Sequence, residues 1–263
     1  MCGIAGYSFD RASQINRTLA AQALLAGIAE RGADAVGYAY RGESGKLSVH
    51  KQRSGASKLL ERVSISSDAT QALIHVRDYT KGHPRIEANN HPVRHDAVTG
   101  VHNGIILNDE EIFASYGFER QEPQMTVDTE AIFALAAHHG GDPRALERLR
   151  GAMATAWLDE GQPDTIHIAR GMGRPLWVGT ARGALFFAST ELALEVLERY
   201  VRVPLRKQEL KLGTHLLVSD GDVVVRSRFK ADMSYVEDNP LPAVRAPREA
   251  EFCLSRLAAL AAA

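Results

Sequence analysis

The sequence predicts an α+β domain of mainly antiparallel sheet layered between helices, and three observations carry that prediction. Short β-type runs recur through the chain, at 36–40, 47–51, 72–77, 97–102, 154–158 and 165–169. Only a few helical segments interrupt them. Late in the chain Asp220-Gly221 separates the runs 215–218 and 223–225, which is the dipeptide a two-residue hairpin favours. Strands joined by tight turns pair antiparallel and leave the helices to cover outer faces, whereas a doubly wound sheet needs a helix at each crossover.

Taken in order, the first seven residues read as a buried strand. Residues 14–30 follow as a helix with Ile15, Leu19, Ala23, Leu24 and Ile28 at helical spacing, ending at Arg31-Gly32. Beyond the central strand runs, Ile132, Phe133 and Leu135 mark a helix at 128–139, Asp142-Pro143 opens another at 143–150, and Leu192, Leu194 and Leu197 mark a third at 190–200. Composition then shifts. Pro240, Pro242 and Pro247 mark a linker, and 248–263 forms a helix with Phe252, Leu257, Leu260 and Ala261 assigned to one face. The expected organisation is one domain over 2–229, followed by a linker and C-terminal helix over 230–263 that is too short for a second domain.

With 263 residues and 45% hydrophobic composition, the chain can bury a full core. Its 31 basic residues balance 32 acidic ones, so no net field attracts nucleic acid or an anionic membrane, and the expected partner is a small molecule or another protein. Two cysteines make no disulfide framework, and the lack of a signal segment or a long apolar run leads to an expected cytosolic location. Neither His91 with His95 nor His138-His139 has an accompanying Cys or Glu at ligand spacing, so no metal or other cofactor is expected.

One of the two cysteines is the second residue, in Met1-Cys2-Gly3-Ile4-Ala5-Gly6-Tyr7. Trimming of the methionine would leave Cys2 with a thiol and a free α-amine on one residue. That amine has a reference pKa of about 7.7–8.0 and can take the thiol proton without a histidine partner. Other segments look unlike ordinary scaffold: Arg31-Gly32-Ala33-Asp34, Arg77 to Gly82, Asn90-His91-Pro92, His102-Asn103-Gly104 closing a strand, and Val127-Asp128-Thr129-Glu130 opening a helix. Each alone has an everyday reading. Arg31 and Asp34 suit a helix end and a turn, Asn103-Gly104 a turn, Asp128 a first-turn acid, and Arg77 a surface charge.

Together with Cys2, these motifs resemble in content and order the glutaminase domain of class II glutamine amidotransferases, the cysteine branch of the N-terminal nucleophile hydrolases. CGIAG, RGADAVG, HVRDYTKG, NNHP, VHNGIILN, VDTE, RGMGRPLWVG and FFASTELAL carry the resemblance across roughly 2–229. It implies a four-layer αββα sandwich and assigns roles residue by residue. Cys2 is the thiolate that attacks the glutamine side-chain amide, and Asn103 with the backbone N–H of Gly104 forms the oxyanion hole. Arg77 grips the substrate α-carboxylate and Asp128 its α-ammonium. Thr80 and Gly82 lie in a loop that closes over glutamine, while Arg31 holds the amino-terminal strand.

This chain departs from relatives that carry an aromatic gate and a histidine in that loop: Asp78 and Lys81 stand here, with Tyr79 displaced by one, and Thr190 replaces an acid after Ser189. No acceptor domain is recognised after residue 230. The resulting expectation is a glutaminase that consumes L-glutamine and supplies ammonia to a separate synthase, with the oligomeric state open, a homo-oligomer included. A hydrolase acting on another amide and a silent glutamine-sensing subunit are the alternatives.

Overall fold

A computed structural model describes residues 2–42, 45–238, 240 and 242–262. Two antiparallel sheets form the centre. The first runs from β1 (Gly3–Phe9) through β2 (Ala35–Arg41), β3 (Leu47–Gln52) and β4 (Gln71–Arg77), and is completed by β9 (Trp177–Ala181), β10 (Ala184–Ala188) and β11 (Arg206–Glu209). Its spatial order is β11-β9-β10-β1-β4-β2-β3, so the amino-terminal strand lies in the middle. The second sheet contains β5 (Val93–His95), β6 (Val98–Ile106), β7 (Gly151–Asp159), β8 (Thr165–Arg170), β12 (Thr214–Ser219) and β13 (Asp222–Arg228) in the order β13-β12-β8-β7-β6-β5.

Three apolar layers hold the sheets and helices together. Ile4, Leu73, Val101, Ala156, Ile168 and Leu216 interdigitate between the sheets. On the outer face of the first sheet, Tyr7, Phe9, Ile74 and Phe186 pack on α1 (Arg17–Ile28) and α4 (Glu191–Val201). On the second, Trp157, Val98 and Ile106 meet α3 (Glu130–His138) and α2 (Asp109–Tyr116). The helix–sheet–sheet–helix layering is the predicted αββα sandwich. It follows from the period-2 alternation of strands whose two faces are both apolar.

Several element boundaries differ from the sequence reading. The first helix starts at Arg17, because Asn16 caps it by accepting from the Leu19 N–H at 2.9 Å. The segment 143–150 is a short 3₁₀ helix, Pro143–Arg148, rather than an α-helix. The run expected at 97–102 continues to Ile106, so Asn103 and Gly104 sit inside β6, paired with Ala154 and Met153, rather than in a turn after it. A side chain at Gly104, where φ is 153°, would place its Cβ 1.9 Å from the Ala152 carbonyl oxygen, and the strand continues because that residue is glycine. Among the strands and α-helices of the described residues, five were not foreseen as such. These are the short β5, the β9–β10 hairpin, the polar edge strand β11 and the helix α2, whose acidic first turn and terminal Gly117 (φ 67°) are ordinary helix signals.

The terminal helix also needs correction. In α5 (Pro247–Ala262) Cys253 and Leu257 are fully buried beside α1, whereas Phe252 and Leu260, assigned to the apolar face from sequence, are exposed. Residues four apart share a helical stripe, but Phe252 and Leu257 are separated by roughly 140° of rotation and cannot both face the core. Glu249 adds a polar anchor by accepting from the Ser57 N–H at 2.8 Å and hydroxyl at 3.1 Å.

Candidate active site

Strand alternation gathers the functional side chains. Along β1, Ala5, Tyr7 and Phe9 face the outer helices while Ile4 faces the space between the sheets, and Cys2 lies one period before Ile4. On β4, Ala72, Ile74 and Val76 point outward with α1, so His75 and Arg77 share the inner face with Leu73. On β6, Val101 is inward, and Asn103 follows it two residues later. Gly3 pairs with Val76, which puts the start of β1 beside the end of β4. The two sheets touch at this point through His75, whose Nε2 lies 3.1 Å from the His102 carbonyl oxygen.

Cys2, Arg77, Thr80, Lys81, His91, His102, Gly104, Asp128 and Thr129 line one cleft there. The Cys2 thiol donates to the Asp78 carbonyl at 3.5 Å. Burial pushes the thiol pKa up, and the nearby Arg77 guanidinium pulls it back. Arg31 donates from Nε to the Cys2 carbonyl at 2.8 Å, and Ile4 and Ser189 bond reciprocally, N–H to hydroxyl and N–H to carbonyl, each at 2.9 Å. These bonds fix the strand that carries the thiol. Thr190 caps α4 by accepting from the Ala193 N–H at 3.3 Å.

Arg77 is buried and its fork is engaged. Nη1 donates to Asn90 Oδ1 at 2.6 Å, while Nη2 donates to the carbonyls of Lys81, at 2.8 Å, and Gly82. Gly82 adopts φ 77°, a left-handed turn at which a Cβ would press on Asn89 and Val127. The loop is held from outside as well. Lys81 Nζ forms an ion pair with Asp109 at 2.7 Å, Asp34 accepts from the Tyr79 N–H at 2.9 Å, and Arg245 reaches the Asp78 carboxylate at 3.2 Å. Asp109 and Arg245 carried no motif that would have singled them out in sequence. The cleft beneath is narrow, with space of about 10 Å³, roughly what one water needs.

Asp128 accepts from the Ile106 N–H at 2.6 Å, and burial, aided by Asp109, raises its carboxyl to about 6. Asn103 is fully buried, yet neither its amide nitrogen nor its amide oxygen has a hydrogen-bond partner. Buried amides are almost always bonded, and this sets Asn103 apart from Asn89, Asn90 and Asn108, whose side-chain amides are bonded within the protein. Among the described residues, no group of three or more His, Cys, Asp or Glu side chains could hold a metal ion. No helix there is long and apolar enough to cross a membrane.

The fold has solved counterparts. A Bacillus subtilis glutamine phosphoribosylpyrophosphate amidotransferase superposes over 86% of this chain and 49% of its own, with TM-score 0.65 at 20% identity. A structure described as the allosteric regulatory enzyme of purine biosynthesis matches with TM-score 0.67 at 22% identity, over 86% of this chain and 49% of that one. The fold is thus shared with these two structures. In sequence, residues 81–196 match the glutamine amidotransferase domain family. Glutamine–fructose-6-phosphate aminotransferase (isomerizing) of Shouchella clausii is 30% identical over 252 residues, which cover 89% of this chain and 40% of that protein. The corresponding protein of Halalkalibacterium halodurans is 30% identical over 261 residues, 92% of this chain and 42% of its own length. This chain therefore carries a class II glutamine amidotransferase domain, and it spans less than half the length of those relatives.

Proposed function

We propose that the protein hydrolyses the side-chain amide of L-glutamine through a thioester on Cys2 and passes the ammonia to a synthase on a separate polypeptide. The observation that carries the chemistry is the cleft that gathers Cys2 with Arg77, Gly104 and Asp128, with Asn103 directly before Gly104 on β6 and its buried side-chain amide unbonded within the protein. Once Met1 is removed, the α-amine of Cys2 takes the thiol proton, and the thiolate attacks the amide carbon. Negative charge develops on the former carbonyl oxygen, where the Asn103 amide and the Gly104 N–H stabilise it. Collapse breaks the C–N bond, and the leaving nitrogen takes the proton back from the α-ammonium. Water, deprotonated by the same amine, then cleaves the thioester to glutamate and free thiol.

Substrate capture divides between two opposite charges. The Arg77 fork suits the α-carboxylate and Asp128 the α-ammonium. Because Arg77 is bonded to the Lys81 and Gly82 carbonyls and the cleft is nearly filled, glutamine access requires the loop over 78–82 to move, which also frees the arginine. Loop opening and carboxylate capture are thus one event, with Thr80 and Gly82 carried on the moving segment.

The test is ammonia release from a panel of L-glutamine, L-asparagine and N-acylated amides. Release from glutamine alone is the expected result. Release only from the other amides would replace the glutaminase reading with a different amidohydrolase, and saturable glutamine binding without turnover would make the protein a sensor.

A further inference from the structure

One wall of the cleft, with the strand beneath it, carries a connected set of buried side chains to which the proposed reaction assigns no step. Thr129 Oγ1 stands 3.0 Å from His102 Nδ1 and 3.0 Å from His91 Nε2. His102 Nε2 faces the Ala152 carbonyl at 3.3 Å, and His75 Nε2 faces the His102 carbonyl at 3.1 Å. The rings of His75 and His91 stack with centroids 4.0 Å apart. All four residues are buried.

The protons in this set are fixed by its ends. Burial lowers His102 to about 3 and holds His75 and His91 well below the usual histidine value, so each imidazole is neutral and carries one N–H. A carbonyl only accepts, hence His102 carries its proton on Nε2 and His75 carries its own on Nε2. The bare Nδ1 of His102 must then accept from the Thr129 hydroxyl. That hydroxyl has one proton to give, so toward His91 it accepts, from Nε2–H. Thr129 thus accepts from His91 and donates to His102, which in turn donates to the Ala152 carbonyl, so loss of the hydroxyl leaves His102 Nδ1 without its donor.

What these side chains hold is the peptide just before the oxyanion hole. His75, on the first sheet, grips the carbonyl of the 102–103 peptide, while Thr129 pins the ring of the residue just before Asn103. Thr129 also follows Asp128 at the start of α3. We infer that Thr129 is a positioning residue, which through His102 sets the placement of the Asn103 amide and Gly104 N–H that receive the developing oxyanion. This inference rests on the glutaminase reading above and assigns it a residue whose hydroxyl is engaged by His102 and His91 and acts through His102.

The experiment compares Thr129→Val, which removes the hydroxyl at nearly constant shape, with Thr129→Ser, which keeps it. Three quantities are read: glutaminase kcat and KM, melting temperature, and the rate at which iodoacetamide alkylates Cys2. Alkylation needs the thiol but no oxyanion hole. A sub-ångström misplacement of the donors predicts a fall in kcat of about 10- to 100-fold for Thr129→Val, with KM and the alkylation rate unchanged and activity restored in Thr129→Ser. A Val variant with wild-type kcat overturns the inference, as does a loss of kcat matched by slower alkylation and not rescued by Ser. Should the Val variant fail to fold, His75→Met removes the donor to the His102 carbonyl from the other sheet, and it must show the same kcat-selective loss. A folded wild type whose Cys2 alkylates but which releases no ammonia from glutamine refutes the glutaminase reading itself, and this inference with it.

Discussion

Two buried arginines occupy opposite ends of the same strand pair. Arg77 closes β4 and pairs in register with Ala35, while Arg41 closes β2 and pairs with Gln71. Burial lowers the pKa of both, and both donate to backbone carbonyls. Arg41 bonds to Gln71 Oε1 at 3.1 Å and to the carbonyls of Asp159, at 2.8 Å, and Gln162, at 3.3 Å, so it ties β2 and β4 to the turn after β7 in the second sheet. The acceptors of Arg77 include a loop that lies over a cysteine. A buried arginine is therefore no functional signal by itself. The difference lies in the neighbours, which at the Arg77 end are a thiol, a carboxyl raised to about 6 and an amide whose donor and acceptor are both unsatisfied.

The comparison is most directly broken at the thiol. Cys2→Ala should abolish ammonia release while leaving the melting temperature close to wild type, since the thiol makes one weak bond. An uncleaved N-terminal extension should do the same, because an amide nitrogen cannot serve as the base at any useful pH. Intact mass of the active protein should show Met1 absent. Activity in an uncleaved fusion would refute the α-amine mechanism.

Asn103→Ala comes next. Its amide serves only charge that appears in the transition state, so kcat should fall by roughly 10²–10³, or about 2.7–4 kcal/mol, with little change in KM. Because the amide has no internal partner to lose, stability should barely move. Steady-state kinetics beside a melting curve checks both halves, and near-normal turnover would remove the oxyanion assignment.

The two arginines should then give opposite signatures. Arg77→Ala loses a charge-assisted fork worth about 1.5–3 kcal/mol, raising KM by roughly 10- to 100-fold, whereas Arg41→Met should lower the melting temperature and leave the kinetics of the folded enzyme intact. Equal effects of the two substitutions on KM would erase the distinction drawn here.

The smallest effect concerns pH. Asp128 must be ionised to hold an ammonium, and its carboxyl titrates at about 6, so in the free enzyme this contribution is present above that value and lost as pH falls through it. The Cys2 amine already imposes a fall below its own pKa. The kcat/KM profile should therefore steepen below about pH 6, approaching a tenfold additional loss per unit, and Asp128→Asn should be lower throughout but lack that second break. A profile of unchanged shape in Asp128→Asn would exclude the carboxylate from capture.

The layered antiparallel architecture was legible because its causes are local. Apolar runs of strand length, a hairpin dipeptide and capped helices each announce themselves within a few residues, and a nucleophile in the second position is visible without any partner. Short or polar elements were not legible. β11 reads Arg-Lys-Gln-Glu and is a strand only because β9 offers it a free edge, and α2 is too brief for its period to register. In sequence the β6 run stops at His102, because Asn-Gly favours a turn. Tertiary contact overrode that preference, since only a glycine lets the strand pass the Ala152 carbonyl.

The sequence by itself determined the fold class, the motif order and the chemical inventory of the candidate site, because each is written in residue type and spacing along one strand or helix. Only the tertiary structure decided how those groups are held. Lys81 meets Asp109 across 28 residues and Arg245 meets Asp78 across 167, while Thr129 is joined to His75 through His102 and its carbonyl on one side and through the stacked ring of His91 on the other. Which stripe of α5 is buried, which carbonyls occupy Arg77 and which amide remains orphaned all depend on surfaces that meet when the two sheets stack. The energy of such contacts belongs to pairs of distant residues, and no local pattern records it.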